Sequence, residues 1–244
     1  RRVFDFGNAS EVFPSVTIKG GVQYFLWDRD EPGDCDFETR RDGRTTSRST
    51  RPLDRYDIVV RDARSLGIVD KVRRREQQSM DSVLSAQKPF GFPSNYVGAS
   101  EMPRGDALRL YRRNGTDWVR RVDVRVGGSN VDTWKVLVPK AGSDGGATLP
   151  DPVIGRPIIS EPSSVCTETY IFAGPLGSSE EAESLASYLR TKFARFLISQ
   201  RKVTQNALRG VYAWVPVQTW DRHWTDSELY SLYEISEDEQ VHID

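Results

Sequence analysis

The first thirty residues predict two β-strands joined by a loop. Alternation of apolar and polar residues over 3–6 and a near-continuous apolar run over 22–27, interrupted only by Gln23, are both typical of strands. A continuous apolar run is expected where a strand is buried on both faces of a sheet. Gly20-Gly21, which precedes the second strand, suits a sharp turn or a close approach of two backbone segments.

The middle of the chain predicts a polar loop or hairpin, a helix and a second hairpin. The run RRDGRTTSRSTR at 40–51 is expected to be exposed, and it either follows a phosphate backbone or is mobile without a role. Apolar positions within 57–75 predict a helix that ends in basic residues. Asn114-Gly115 predicts the turn of a hairpin over 108–126. The inward side chains of this hairpin are expected to be Leu108, Leu110, Trp118 and Val122.

Residues 178–200 carry the clearest helical pattern. Ser178 and Glu181 have the spacing of a capping box, and the apolar residues that follow recur on one helical face. The capping-box spacing returns at Thr225 and at Ser236, which predicts short acidic helices at the end of the chain.

The order of the predicted elements indicates the fold class. Further strands are expected at 134–140, 158–159 and 165–172, and they precede the long helix without βα alternation. This order predicts an α+β fold. Three tryptophans near the end of the chain are expected to pack in its core: Trp214, Trp220 and Trp224.

Composition is that of an ordinary globular protein, with 37% hydrophobic and 28% charged residues in 244. No apolar run approaches the roughly 20 residues of a membrane span. Two cysteines and two histidines, without metal-ligand spacing, predict neither a disulfide framework nor a zinc site, and favour a cytoplasmic protein. Because the chain begins with Arg1-Arg2 and not with Met, we expect it to be part of a longer protein.

The net charge of −1 hides an asymmetry along the chain. Residues 1–156 carry a net charge of +5 and residues 157–244 a net charge of −6. Basic residues are concentrated in 40–75 and in 190–209, and arginine outnumbers lysine 27 to 7. Such stretches suit a nucleic-acid partner, because the arginine fork matches phosphates and guanine edges, although solvated helix faces also produce basic runs.

Three stretches resemble one protein family. VFDFGNASEVFPSVTIKGGVQYFLWDRD resembles the eighth conserved motif region of adenine-specific DNA methyltransferases, in particular large restriction–modification proteins with a TaqI-like C-terminal specificity region. Lys88-Pro89-Phe90-Gly91 and SYLRTKFARFLISQRKVTQNALRGVYAWVPVQ are similar to further phrases of that family. The resemblance implies that Phe13 and Pro14 line the pocket of a flipped adenine, which is held by stacking between aromatic or apolar side chains.

The resemblance also implies a division of the chain. Residues 1–30 would be the final strands of a Rossmann-like catalytic sheet, and 31–244 a mixed α/β target-recognition region. The family's glycine-rich loop for S-adenosylmethionine and its Asn-or-Asp-Pro-Pro-aromatic tetrapeptide do not occur in this sequence. We therefore expect the parent protein to be an S-adenosylmethionine-dependent methyltransferase whose catalytic half lies upstream. This chain alone is expected to be inactive, with no catalytic, cofactor or metal residues.

A nuclease centre is not indicated either. None of the seven lysines has an acidic residue two positions earlier, as the common metal-dependent nuclease centre requires. An independent small-molecule enzyme also has little support. A non-enzymatic protein-interaction module of a restriction complex stays open as the alternative, with the acidic C-terminal part and the Trp-rich segment as its interface.

Double-stranded DNA is the expected partner, together with the upstream half of the same protein. Phosphate contacts would position the duplex, and loops or strands in its grooves would read the sequence. The residues expected to contact DNA are Lys19, Arg44, Arg48, Lys88, Lys135, Lys140, Lys202 and Gln205.

Overall fold

A computed structural model describes residues 1–16, 18, 20–142 and 153–244. Within these ranges the chain forms an α+β fold with three small sheets and five α-helices, which confirms the predicted class. None of the helices in this part of the chain is long and apolar enough to cross a membrane.

The first sheet has four strands in the order β2-β1-β3-β4. They are β1 (Arg2–Phe6), β2 (Val22–Leu26), β3 (Cys35–Arg41) and β4 (Arg44–Arg51). Strand β1 pairs antiparallel with β2 and parallel with β3. Asp42 and Gly43 join β3 to β4 with φ values of 51° and 70°, the left-handed conformation that Asp-Gly hairpin turns favour. The polar run at 40–51 is therefore a hairpin.

Strand β2 is exposed, so the prediction that 22–27 is buried on both faces is wrong. Phe25 and Leu26 are 70% and 69% exposed. The physical reason is that residues on both faces of β2 lack cover: Phe25 and Leu26 point to opposite faces, and no layer of the described residues packs over either of them. The strand also lies at the edge of its sheet, with β1 as its neighbour among the described residues.

The other two sheets have three strands each, in the orders β6-β5-β9 and β10-β7-β8. Their strands are β5 (Ala107–Arg112), β6 (Gly115–Arg120), β7 (Trp134–Pro139), β8 (Ile158–Ser160), β9 (Ser164–Cys166) and β10 (Tyr170–Leu176).

The hairpin at Asn114-Gly115 is confirmed, but only two of the four residues that were expected to point inward do so. Leu108 and Leu110 are fully buried, whereas Val122 is 74% exposed. Register places Leu108 opposite Val119 and Leu110 opposite Asp117, so these two, and not Trp118, point inward on β6. The burial of Asp117 is compensated by its ion pair with Arg112 at 2.6 Å.

The five helices follow the capping signals in the sequence. They are α1 (Ser65–Arg73), α2 (Ser179–Arg190), α3 (Lys192–Arg201), α4 (Asp226–Leu232) and α5 (Glu237–Ile243). Ser178 caps α2 as expected, and Thr225 and Ser236 form capping boxes with Glu228 and Glu239.

One helix over 178–200 was expected, and the structure has two. Thr191 is extended (φ −63°, ψ 149°), and its Oγ1 accepts a hydrogen bond from Ala194 N at 3.2 Å. A threonine hydroxyl that caps a new helix competes with continuation of the old one. The apolar stripe continues across the break, so periodicity alone did not reveal it.

The largest core lies between α2, α3 and the β10-β7-β8 sheet. Tyr188, Phe193 and Leu197 are fully buried there, and the closing helices pack on the same cluster. Trp214 and Trp224 are buried and Trp220 packs against this core, which confirms the packing role expected for the tryptophans.

Candidate nucleic-acid interface

Phe13 and Pro14 lie in the loop between β1 and β2, which we call the Phe13 loop (residues 7–21). A single 3-10 turn at Ala9–Glu11 opens it, capped by Asn8 Oδ1, which accepts from Ser10 N at 3.1 Å. Phe13 N donates to Ala9 O at 2.9 Å, which fixes the backbone beneath the ring. The Phe13 side chain is 48% exposed and Pro14 is exposed. The ring therefore stands at the surface and outside the hydrophobic clusters.

The double glycine closes this loop by two backbone contacts. Gly20 has φ +93°, and a Cβ there would lie 1.8 Å from the carbonyl oxygen of Val203. Gly21 has φ +81°, and a Cβ there would lie 2.4 Å from Phe6 O. Any larger residue would displace the loop, so both expected roles, turn and close approach, are met. The returning end of the Phe13 loop is thus packed against the segment that follows α3.

A buried carboxylate ties the same end of the loop to the sheet. Asp5 on β1 is fully buried, and its Oδ1 accepts from Gln23 Nε2 at 2.8 Å. Arg61 Nε lies 3.3 Å from the same oxygen, while Arg61 Nη2 donates to Gly20 O at 2.6 Å. Arg61 therefore links the strand to the loop, and it satisfies part of the charge that burial would otherwise leave unpaired.

The hairpin between β3 and β4 meets the loop on its other side. Gly43 N donates to Glu11 Oε2 at 3.2 Å. Arg44 follows this contact and is exposed. Arg48, further along β4, is also exposed, but its guanidinium donates to both oxygens of Asp36, at 3.0 and 2.8 Å. This hydrogen bonding lowers the pKa of Asp36, which also pairs with Arg2 at 2.9 Å, so Arg48 is held against the sheet by a carboxylate that two arginines share.

A line of contacts runs from the Phe13 loop across the segment after α3 to two further loops. Ala207 N donates to Lys140 O at 2.7 Å, and Ala141 forms an isolated antiparallel β-bridge with Asn206. Lys140 Nζ donates to Glu168 Oε1 at 3.1 Å. Gln87 Nε2 donates to the same carboxylate oxygen.

We call this set the loop strip (residues 7–21, 202–206, 140–141 and 87–88). It brings together four of the residues expected to contact DNA. Lys88 and Gln205 are exposed, and Lys140 and Lys202 are half-buried. The hydrogen bond from Lys140 lowers the pKa of Glu168, so the positive charge of Lys140 is partly compensated by this carboxylate. Lys19 falls within the strip by sequence but lies outside the described residues.

Lys135 is the one predicted contact that has to be corrected. It lies in β7, between β8 and β10, and is fully buried. Its Nζ donates to Val131 O at 3.2 Å and to Thr133 O at 2.7 Å, and burial lowers its pKa to about 8. An ammonium group enclosed in this way cannot reach a phosphate or a base edge.

The strip can stack a planar group and contact phosphates, because it combines an exposed aromatic ring with lysines and an amide. Within the described ranges, no group of three or more His, Cys, Asp and Glu could hold a metal ion. The Asp5–Arg61 pair was missed by the sequence interpretation. Its signal was an acid on the inward face of an alternating strand, which requires a buried partner.

Comparisons of the chain with protein-family models, with curated proteins and with solved structures gave no match.

Proposed function

We propose that this chain is the DNA-binding and target-recognition part of an adenine-specific DNA methyltransferase of a restriction–modification system. In this proposal Phe13 forms the aromatic wall of the flipped-base pocket. The observation that supports it most is the Phe13 ring itself, exposed on a loop whose two ends are fixed. A rigid, exposed aromatic ring loses little conformational entropy when a base stacks on it.

The loop strip supplies the rest of the DNA contact. Lys88, Lys140, Lys202 and Gln205 would hold the duplex from one side of the ring, and Arg44 from the hairpin on the other. Phosphate contacts of this kind fix position without reading sequence, whereas exposed amides such as Gln205 can read base edges.

The catalytic half of the same protein would complete the first sheet. Residues 1–30 are proposed to be the end of a Rossmann-like sheet, and the open outer edge of β2 supports this, since an exposed apolar edge strand otherwise invites unspecific pairing. That half would hold S-adenosylmethionine and the adenine-binding tetrapeptide. We therefore propose that this chain binds DNA in the cytoplasm but transfers no methyl group alone. Methyl transfer by the purified chain would contradict this.

The test of DNA binding is a titration with a duplex of mixed sequence at about 50 and 200 mM salt. Lys202→Gln should weaken binding to all sequences and lower the slope of log K against log salt by about 0.9. Lys192→Gln is the control, because Lys192 starts the helix that Lys202 follows and lies outside the loop strip. Binding that ignores salt, or that responds equally to both variants, would overturn the proposal.

A protein-interaction module of a restriction complex is the second candidate. A cavity of 620 Å³ beside β2, lined by apolar groups of Val3, Phe25 and Trp27, favours it. A module of this kind would bind its protein partner without the salt-dependent affinity for DNA described above.

A further inference from the structure

Arginines outside the predicted contact set line a second cavity. The cavity has a volume of 540 Å³ and lies between the end of α1 and the segment 213–216. Arg73, the last residue of α1, and Arg74, which follows it, line the cavity, and Tyr56 and Trp214 form its aromatic wall.

The Arg73 guanidinium lies over two aromatic rings. Its Cζ lies 5.1 Å from the centre of the Tyr56 ring and 5.8 Å from that of Trp214. A cation–π contact of this kind attracts the positive charge without using its N–H donors in hydrogen bonds. The charge of a helix C terminus favours an arginine at this position, but it does not require contact with two rings.

Arg201 contacts the same tryptophan, but its guanidinium is already hydrogen-bonded to a carboxylate. Its Cζ lies 4.8 Å from the Trp214 ring, and its two Nη atoms donate to Asp57 at 2.7 and 2.6 Å. This bonding is the main cause of the lowered pKa of Asp57, to which Arg73 adds only a weaker charge effect. No ion pair to Arg73 or Arg74 occurs among the residues that the structure describes.

The carboxylates at the cavity do not neutralise it. Asp70 accepts from Arg55 and from the Tyr56 hydroxyl, so its charge is balanced. Glu76 lines the cavity but is exposed to solvent, which screens its charge. The cavity therefore carries a net positive charge from Arg73 and Arg74, opposed only by the solvent-screened carboxylate of Glu76.

The cavity is close to the loop strip along the chain. Arg201, which packs on Trp214, immediately precedes Lys202. Arg61, which holds Gly20 of the Phe13 loop, comes from the same segment as Tyr56 and Asp57. The cavity and the Phe13 loop are thus linked through two short stretches of chain.

We infer that the cavity binds a phosphodiester group of the DNA backbone. Arg73 is the two-pronged donor, placed beside the rings of Tyr56 and Trp214, and Arg74 supplies the second positive charge. This inference rests on the proposed DNA-binding function and adds a contact to it.

The test measures DNA affinity against salt for Arg73→Gln, Arg74→Gln and Arg73→Lys. Arg73→Gln should lower the log–log salt slope by about 0.9 and weaken binding several-fold on every sequence. Arg73→Lys keeps the charge but loses the fork, so it should retain the slope with an intermediate affinity. Arg109→Gln is the control, because Arg109 is equally exposed but paired with Glu161 at 2.9 Å.

The outcomes separate the two proposals. A wild-type chain without salt-dependent DNA binding would overturn both. DNA binding that responds to Lys202→Gln but not to Arg73→Gln or Arg74→Gln would overturn this inference alone. A parallel titration with inorganic phosphate and with a mononucleotide identifies the source of the phosphate: binding of either that Arg73→Gln abolishes, with an unchanged DNA slope, would also overturn it.

Discussion

The first sheet and the helical core use apolar residues in opposite ways. In the core, Tyr188, Phe193 and Leu197 are fully buried between α2, α3 and a sheet. In the first sheet, β2 leaves Phe25 and Leu26 in solvent. The apolar composition is similar, but only the core has elements on both sides within the described chain. Burial between two packed layers therefore separates the core from β2, which within the described residues has no such cover.

The largest expected effect is a substitution in the core. Phe193 is fully buried and stacks on Tyr233 with ring centres 4.9 Å apart. Phe193→Ala should lower the free energy of unfolding by about 3–5 kcal/mol. Phe25→Ala, the same change on the exposed edge strand, should lower it by less than about 0.5 kcal/mol. Urea unfolding of both variants measures these changes. Equal losses in the free energy of unfolding would contradict the difference between the core and the edge strand.

A smaller effect is expected where the two regions meet. Gly20→Ala places a Cβ against Val203 O at a positive φ, so it should lower the free energy of unfolding by about 1–3 kcal/mol and weaken DNA binding. Gly7→Ala is the control, because its Cβ would meet nothing within 4 Å. Thermal unfolding and a DNA titration of both variants check the pair; a Gly20→Ala variant that resembles Gly7→Ala would show that the Phe13 loop is not fixed there.

Lys135 gives the core a pH dependence. Its pKa is lowered to about 8 in the folded chain from an ordinary value of 10.5, so the unfolded chain binds more protons between these values. Lys135 should therefore contribute a rise in the free energy of unfolding with pH across this window, by at most about 1.4 kcal/mol per pH unit, whereas the buried Cys166 thiol, whose pKa burial raises, contributes in the opposite direction. Lys135→Met should remove this rise. Identical pH profiles of the two proteins in urea unfolding would contradict the burial of a charged amine here.

The smallest effect separates two arginines of one hairpin. Arg44→Gln should weaken DNA binding two- to threefold, whereas Arg48→Gln should leave it nearly unchanged, since Arg48 is engaged by Asp36. Affinity measured at low salt, where exposed charges act most strongly, resolves the difference. A larger loss for Arg48→Gln would indicate that its pair with Asp36 opens on binding.

Local signals in the sequence predicted local structure well. Asn114-Gly115 gave a hairpin, and Ser178, Thr225 and Ser236 each capped a helix, because turns and caps depend on a few neighbouring residues. The α+β class followed from the order of these elements.

Properties set by distant neighbours were not predictable. The apolar run of β2 predicts a strand, but it cannot show whether packed layers cover the two faces of that strand. A lysine in an apolar strand is expected at the surface. The burial of Lys135 is explained only by its hydrogen bonds to the carbonyls of Val131 and Thr133, which folding brings to it. For the candidate site, Phe13 and its double glycine could be identified from sequence, whereas Arg61 and Arg73 depend on contacts made by folding.

The most direct measurement compares the affinity of the chain for a duplex with one unpaired adenine and for the fully paired duplex. An unpaired base needs little energy to leave the stack, so the difference reports the pocket. The wild-type chain should bind the duplex with the unpaired adenine about 5- to 100-fold more tightly. This ratio of affinities corresponds to the stacking free energy of one base on an aromatic ring. Phe13→Ala should lose this preference, and Phe13→Trp and Phe25→Ala should keep it. An equal preference in Phe13→Ala and the wild type would contradict the role of the Phe13 ring.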